Sequence, residues 1–464
     1  MAKEIYINST LAFCKHCNNS EFTRIVSYDG KVYLERMCPK LGVQSVIIAS
    51  DFEWYNERMH LYKTFPEPKI RKESKEGCPK DCGLCQWHSN SIFLPVFTIT
   101  NDCNLDCPKC FTYNRQDAKY YKSVEETKKI INEIISQSGG VQLINLTGGE
   151  PTLHPNLFEI IDTCKHEGIS RITMNTNGLK IAADKDFAKK IKETGVQLVL
   201  SLDTLTSEIS KIIYGRDIVS IKLKALEYLE ELDIPTTILS VAIKNINEND
   251  ISYIASTYLK KDFVRSMTIQ NMTYTGLNGS KFQPREHITI DEVEKILAKN
   301  QEFSQEDFFP LASYHPLCYS VAYYFAIDRM IIPLRKILDR DSLIKKSSDS
   351  YFLNPNNDFS REFLNGINQL WASGEDENII RKLKDMVNII YPIDREISLE
   401  EREKYIEKHF KMIYIHPHMD EDNFDIDRVS RCGDIVPDEN GRMIPACSYN
   451  LLYRQEDPRF WIET

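Results

Sequence analysis

The stretch SIFLPVFTITNDCNLDCPKC, residues 91–110, runs a β-branched and aromatic segment directly into three thiols, Cys103, Cys107 and Cys110. Its first ten residues read as a buried strand. The CxxxCxxC motif therefore stands at the C-terminal end of a core strand, where open α/β sheets and barrels carry their sites. Downstream the chain alternates. SVEETKKIINEIISQS reads as an amphipathic helix capped at Ser123, and VQLINLTGGEPTLHP as a strand entering a Gly-Gly turn. Helix 156–167, strand RITMNTNG, helix 184–194, strand VQLVLSLDT, helix 218–231, strand TTILSVAIK, helix 248–258 and strand SMTIQNMT follow. About six strand-helix units imply a parallel sheet with helices outside, either doubly wound or a partial barrel. In either case the strand ends share one rim, which carries Cys103–Cys110, Gly148–Pro151, Asn175–Asn177, Ser201–Asp203, Gln270 and Asn271.

The 13 cysteines cluster: Cys14, Cys17 and Cys38; Cys78, Cys82 and Cys85; Cys103, Cys107 and Cys110; then singles at 164, 318, 432 and 447. An odd, clustered set in a reducing compartment reads as metal or iron-sulfur ligands rather than disulfides. A four-iron cube held by three thiolates keeps one iron open to a ligand that is not protein. The pair Gly148 and Gly149 would let backbone approach such a ligand, Glu150 would accept from a cationic amine, and Pro151 would stiffen the exit.

CNLDCPKC followed by GGEP resembles the radical S-adenosylmethionine (SAM) superfamily over roughly residues 92 to 280. The resemblance implies that Cys103, Cys107 and Cys110 hold a [4Fe-4S] cluster whose open iron chelates the amino and carboxylate groups of SAM. Reductive cleavage would then release a 5′-deoxyadenosyl radical that abstracts hydrogen from an unactivated carbon. It also implies that Gly148, Gly149 and Glu150 bind the methionine amine, with Asn175, Ser201 and Asp203 as contacts to carboxylate and ribose. Lys109 departs from the pattern, since many members place an aromatic residue before the last cysteine.

The flanks FCKHC, DGKVYLERMCPK, GCPKDCGLC, YHPLCYS, HMDEDNFDIDRVSRC and GRMIPACSYNLLYR resemble the class D methylase-like group that includes archaeal tetraether lipid synthase. That group forms C–C bonds by methylation or sp3–sp3 coupling and carries extra iron centres. The implied architecture is a partial (β/α)6 barrel over 92–285, a rubredoxin- or zinc-ribbon-like module over 1–60, an auxiliary-cluster loop over 61–91 and a capping domain over 286–464. Cys14, Cys17 and Cys38 suit a mononuclear Fe or Zn site completed by His16, His60 or a distant thiol, or else a metal-free relic. Cys78, Cys82 and Cys85, in a polar loop, and Cys318, Cys432 and Cys447 suit one or two auxiliary [4Fe-4S] clusters, although Cys318 also reads as a buried small hydrophobe.

Other residues read as structural. Cys164 lies inside a helix, His315, His416 and His418 are expected to be structural or solvated with metal or substrate binding as the alternative, Asp420–Asp422 form a solvated acidic run, and Tyr449 is a packed aromatic with hydrogen relay as the alternative. The charged stretches between 335 and 405 suit an amphipathic cover over the sheet mouth, a partner surface or a lipid-facing groove. A net charge of -10 argues against a nucleic-acid partner. The N-terminus shows no secretory pattern and no apolar run is long enough for a bilayer, so the expected location is cytoplasmic, peripheral to the membrane if the substrate is a lipid. Two functions stay open: a radical SAM enzyme acting on a small molecule or lipid and reduced by a partner such as ferredoxin or flavodoxin, and an iron-sulfur electron-transfer or scaffold protein that has lost SAM chemistry.

Overall fold

The computed structural model describes residues 4–61, 72–112, 114, 118–311, 313–347, 357–374, 377–392, 395–457 and 459. The beginning of the expected auxiliary-cluster loop, 62–71, lies outside them, as do parts of the 335–405 stretch. Four N-terminal strands, β1 (Ile5–Cys14), β2 (Asn19–Tyr28), β3 (Lys31–Cys38) and β4 (Gly42–Ala49), form an antiparallel sheet in sequence order. Asp29 and Gly30, both at positive φ, make the tight β2–β3 turn.

The larger sheet is built on β5 (Leu94–Thr100), β6 (Ile144–Gly148), β7 (Ile172–Thr176), β8 (Gln197–Ser201), β9 (Thr236–Ala242) and β10 (Val264–Asn271). All six are parallel and paired in sequence order, with helices in the connections. Helix Val124–Ser138 starts at a Ser123/Glu126 capping box and stops at Gly139 in the left-handed region. Its Ile130, Ile131 and Ile134 pack on Phe97 and Ile99 of β5. Helices Leu157–Thr163, Lys185–Thr194, Val219–Glu231 and Glu248–Tyr258 stand at the expected places. Leu179–Ala183 and Ser207–Tyr214 are additional short helices.

Period-two alternation decides which face of each strand is wet. Leu146, Met174, Leu198, Ile238, Met267 and Ile269 turn outward into the core under the helices. Asn145, Thr147, Thr173, Asn175, Gln197, Thr237, Thr268 and Gln270 turn inward and line a cavity. The barrel interior is therefore a cavity of mixed polar and apolar lining and not a packed core.

The C-terminal portion departs from the expectation of a separate cap. After β11 (Phe309–Pro310), β12 (Ser320–Ile327) and β13 (Met330–Pro333), strand β14 (Phe410–Ile415) pairs parallel with β10. Strand β15 (Asp434–Pro437) pairs parallel with β5 and antiparallel with β16 (Met443–Pro445). Residues 286–464 thus widen the barrel sheet on both edges. Across the opening, Tyr314 and Tyr319 donate their hydroxyls to Asp434 at 2.8 and 2.7 Å, joining the two flanks. The helical segment also lies elsewhere than expected. Helix Glu377–Ile390 buries Ile380, Leu383, Met386 and Ile390, and with Phe363 it packs on Phe325, Phe410 and Met412. Because Phe410 begins β14, this cluster sits at the strand N-terminal end, opposite the rim.

Candidate active site

Cys103, Cys107 and Cys110 occupy the loop after β5, against the rim. Gly279 N–H donates to the Cys110 carbonyl at 2.8 Å, and the Thr112 hydroxyl lies 3.0 Å from Cys110 Sγ. Burial pushes the Cys107 thiol up to about 12, and the Cys103 thiol is raised by the same cause. All three thiols line a cavity together with Gly148, Gly149, Glu150, Asn175 and Ser201.

The glycine pair lines this cavity and is also required by the backbone behind it. A Cβ on Gly148 would lie 2.1 Å from the Thr100 carbonyl, and one on Gly149 would lie 2.1 Å from that of Asp102. Gly149 N–H and Glu150 N–H donate to those same carbonyls at 2.8 and 2.7 Å. The glycines are thus required because β6 ends in close contact with the backbone that leads into the thiols. The buried Glu150 carboxylate accepts from Thr152 N–H at 3.1 Å, Thr152 Oγ1 at 2.6 Å, Thr176 Oγ1 at 2.9 Å and Asn177 N–H at 2.6 Å. It pins the ends of β6 and β7 together.

Asp203 does not line the cavity. Its carboxylate is fully buried, accepts from Val241 N–H at 2.6 Å and forms an ion pair with Lys109. The departure at Lys109 is thereby explained: its ammonium stands 5.2 Å from the centre of the Tyr214 ring and neutralises a buried acid. Lys222, also buried, donates to the carbonyls of Ser201 and Asn177 at 2.6 Å each, and burial brings it down to about 8.

A second cavity lies within the barrel and shares Phe111, Thr147, Gly148, Asn175 and Gln270 with the thiol cavity. Of its row of Asn, Thr, Gln and Ser only Asn175 and Gln270 were named from the sequence, although alternation within INLT, ITMNT and SMTIQN carries the signal for the rest. Val96, Val199, Leu239, Tyr319 and Tyr414 supply apolar patches, and Asp434, Asn450, Arg454, His416 and His418 close one side. Two buried wall atoms, Thr98 Oγ1 and Asn450 Oδ1, have no hydrogen-bond partner among the described residues.

The remaining thiols form three groups. Cys14 and Cys17 Sγ lie 3.5 and 3.2 Å from Cys38 Sγ, close to the edge of about 3.8 Å that thiolates share on one tetrahedral ion. Burial alone would raise Cys38, but hydrogen bonding from Cys17 and the Leu41 and Lys40 backbone brings it to about 7. Neither His16 nor His60 completes this set: among the described residues only the three cysteines gather within 4.8 Å. Cys78, Cys82 and Cys85 do not lie in a wholly polar loop, since Cys82 and Cys85 are buried and Cys82 packs on Val436, Ala446 and Tyr449. Cys318, Cys432 and Cys447, all buried, line one enclosed void with His416 and His418. Those histidines are not solvated, and burial drives both down to about 3, leaving neutral imidazoles. Asp420 is likewise no solvated acid. It is 1% exposed and bonded to His287 and to Tyr274 N–H. Cys164 is fully buried, and the Tyr449 hydroxyl donates to Asp457 at 2.8 Å.

Residues 97–257 match the family model described as the radical SAM superfamily. The 7,8-dihydro-6-hydroxymethylpterin dimethyltransferase of Methanocaldococcus jannaschii is 27% identical over 485 residues, covering 96% of this chain and 94% of that one. A probable GTP 3′,8-cyclase of Pyrococcus horikoshii is 30% identical over 155 residues, 33% of this chain and 48% of its own length. Among solved structures, an anSMEcpe with bound AdoMet aligns over 46% of this chain and 59% of that one, with 22% identity and a TM-score of 0.36. A radical SAM methyltransferase from Sphaerobacter thermophilus aligns over 64% of this chain and 75% of that one, with 11% identity and a TM-score of 0.32. At such scores the architecture rests on the strand order described above.

Proposed function

Because residues 97–257 carry a radical SAM domain, we propose that the protein forms carbon-carbon bonds by methylating a flat, polar heterocycle of the pterin class, in preference to coupling lipid chains. SAM and a [4Fe-4S] cluster are the cofactors of such a domain. When bound, the cluster supplies the electron that splits SAM into methionine and a 5′-deoxyadenosyl radical. In this reading Cys103, Cys107 and Cys110 hold the cluster. Gly148 and Gly149 seat the thiol loop, Glu150 fixes the neighbouring strand ends, and Asn175 and Ser201 face the SAM cavity. Cys78, Cys82 and Cys85, and Cys318, Cys432 and Cys447, would hold auxiliary clusters. Cys14, Cys17 and Cys38 would hold one Fe or Zn ion.

The observation that carries the substrate class is the barrel interior. A lipid enzyme needs a long apolar groove, whereas here one compact cavity, with apolar side chains interleaved with Asn, Thr and Gln from the strands, opens onto the thiols. Apolar patches suit the faces of a ring, and the unpaired Thr98 Oγ1 and Asn450 Oδ1 suit its polar edge. The M. jannaschii relative, similar along nearly its whole length, bears a dihydropterin and two methyl transfers in its name. The GTP cyclases match only the shared domain and do not bear on substrate. No helix among the described residues is long and apolar enough to cross a membrane. A cytoplasmic setting with ferredoxin or flavodoxin as reductant fits this proposal.

The test is anaerobic reconstitution with dithionite and SAM, offering 7,8-dihydro-6-hydroxymethylpterin and, separately, a long-chain glycerolipid. A methylated pterin in the mass spectrum is the expected result. Modification of the lipid alone would overturn the substrate assignment.

A further inference from the structure

Cys318, Cys432 and Cys447 come from three distant places: just before β12, just before β15, and the turn of helix after β16. They nevertheless line one small void. Arg428 lines it too, and its positive charge lies against Cys318. The three thiols are not drawn within 4.8 Å of one another as Cys14, Cys17 and Cys38 are.

Two imidazoles share the wall of this void. His416 is already engaged: its Nε2 lies 3.2 Å from the Asp434 carboxylate, and its ring stacks on Tyr319 at 3.9 Å. His418 is placed differently, with Nδ1 3.8 Å from Cys447 Sγ and Nε2 3.3 Å from the Gln270 side-chain amide. The two ends of that amide are interchangeable by rotation. With its oxygen toward the ring, Nε2–H donates to Gln270 and Nδ1 presents its lone pair to the void. A metal-binding histidine is oriented in this way, one nitrogen on the metal and the other donating to a carbonyl.

We propose that His418 is the fourth ligand of a four-iron cluster otherwise held by Cys318, Cys432 and Cys447. The inference rests on the auxiliary-cluster reading given under the proposed function. It places the cluster directly behind the wall of the substrate cavity, because His418 lines both spaces. The ring also stacks at 5.6 Å on Phe111, the residue following Cys110, so one imidazole touches the surroundings of both iron sites. An imidazole in place of a thiolate removes one negative charge from the ligand set, which raises the reduction potential.

The experiment uses the full chain carrying Cys103→Ala, Cys107→Ala and Cys110→Ala, so that no signal arises from the SAM-binding cluster. The protein is labelled with 15N-histidine, reconstituted anaerobically and reduced with dithionite for pulsed EPR. The expected result is a histidine-nitrogen coupling that disappears in His418→Cys at unchanged iron content, with a more negative midpoint potential. Absence of the coupling in the parent, or its survival in His418→Cys, would overturn the assignment. So would unchanged iron and sulfide on replacing Cys318, Cys432 and Cys447 with serine. If His418→Cys does not retain iron, His418→Ala is reconstituted with free 15N-imidazole: recovery of the coupling supports the ligand role, and failure to recover it refutes it. The SAM reading is scored separately, by 5′-deoxyadenosine from protein with all three radical SAM cysteines intact.

Discussion

Lys109 illustrates how one residue can depart from a family pattern and be compensated locally. Its partner Asp203 is fully buried and fixed by Val241 N–H, so removing the ammonium leaves an unpaired charge in a dry place. Lys109→Ala is expected to destabilise the apo protein by about 3–5 kcal/mol in urea denaturation, and Lys109→Ala with Asp203→Asn to recover much of that loss. At the cavity wall the expectation reverses. Thr98 Oγ1 is buried without a partner among the described residues, so the near-isosteric Thr98→Val should leave apo stability unchanged or slightly raised. If the hydroxyl meets substrate, the KM for the pterin should rise roughly threefold to tenfold, the worth of one ordinary hydrogen bond. An unchanged KM would remove Thr98 from the substrate contacts.

Among the elements, those set by local chemistry were legible from the sequence. The capping box at Ser123 and Glu126 and the six strand-helix repeats each depend on residues close together in the chain. β14 and β15 were not legible as barrel strands. Each is short, lies outside the repeat, and pairs with a strand far away in sequence. The inner polar row was written in the alternation of every strand and was hidden by reading the strands only as apolar runs. At the rim, residue types were readable but partners were not. Nothing near Asp203 in sequence announces Lys109, and the grouping of Cys318 with Cys432 and Cys447 came from resemblance and not from spacing. The helical segment at the strand N-terminal end gives a prediction at this scale. Leu383 is fully buried there and lines neither the thiol cavity nor the barrel cavity. Leu383→Ala should cost about 2–5 kcal/mol of stability while leaving 5′-deoxyadenosine formation intact at low temperature. Loss of SAM cleavage in a variant that remains folded would show that this segment acts on the site.

Across the whole molecule, the C-terminal portion is both wall and clamp. It supplies two edge strands, closes the cavity with His416, His418, Asp434 and Asn450, and ties the N-terminal module down through Thr10 to Asp425 at 2.7 Å and Arg36 to the Glu421 carbonyl at 2.7 Å. His287, in the loop after β10, lies 3.2 Å from Asp420 and 3.6 Å from Asp422, while Arg285 pairs with Asp422 and Glu421. Burial alone would lower His287, but Asp420 and Asp422 outweigh it and raise its pKa above the ordinary 6.5. The stabilisation is therefore complete below about pH 6.5 and is lost as pH rises through the raised folded value. Denaturation midpoints measured from about pH 6 to pH 9 should fall more steeply for the wild type than for His287→Gln; parallel curves would mean the pair is energetically silent. The central claim, that the rim at Cys103, Cys107 and Cys110 cleaves SAM, is tested most directly by 5′-deoxyadenosine yield from anaerobically reconstituted protein under dithionite. The wild type should form it, and the triple alanine variant should form none while retaining iron at its other thiols. A wild type that holds iron yet never cleaves SAM, even with the pterin present, would contradict the account and favour an electron-transfer or scaffold role.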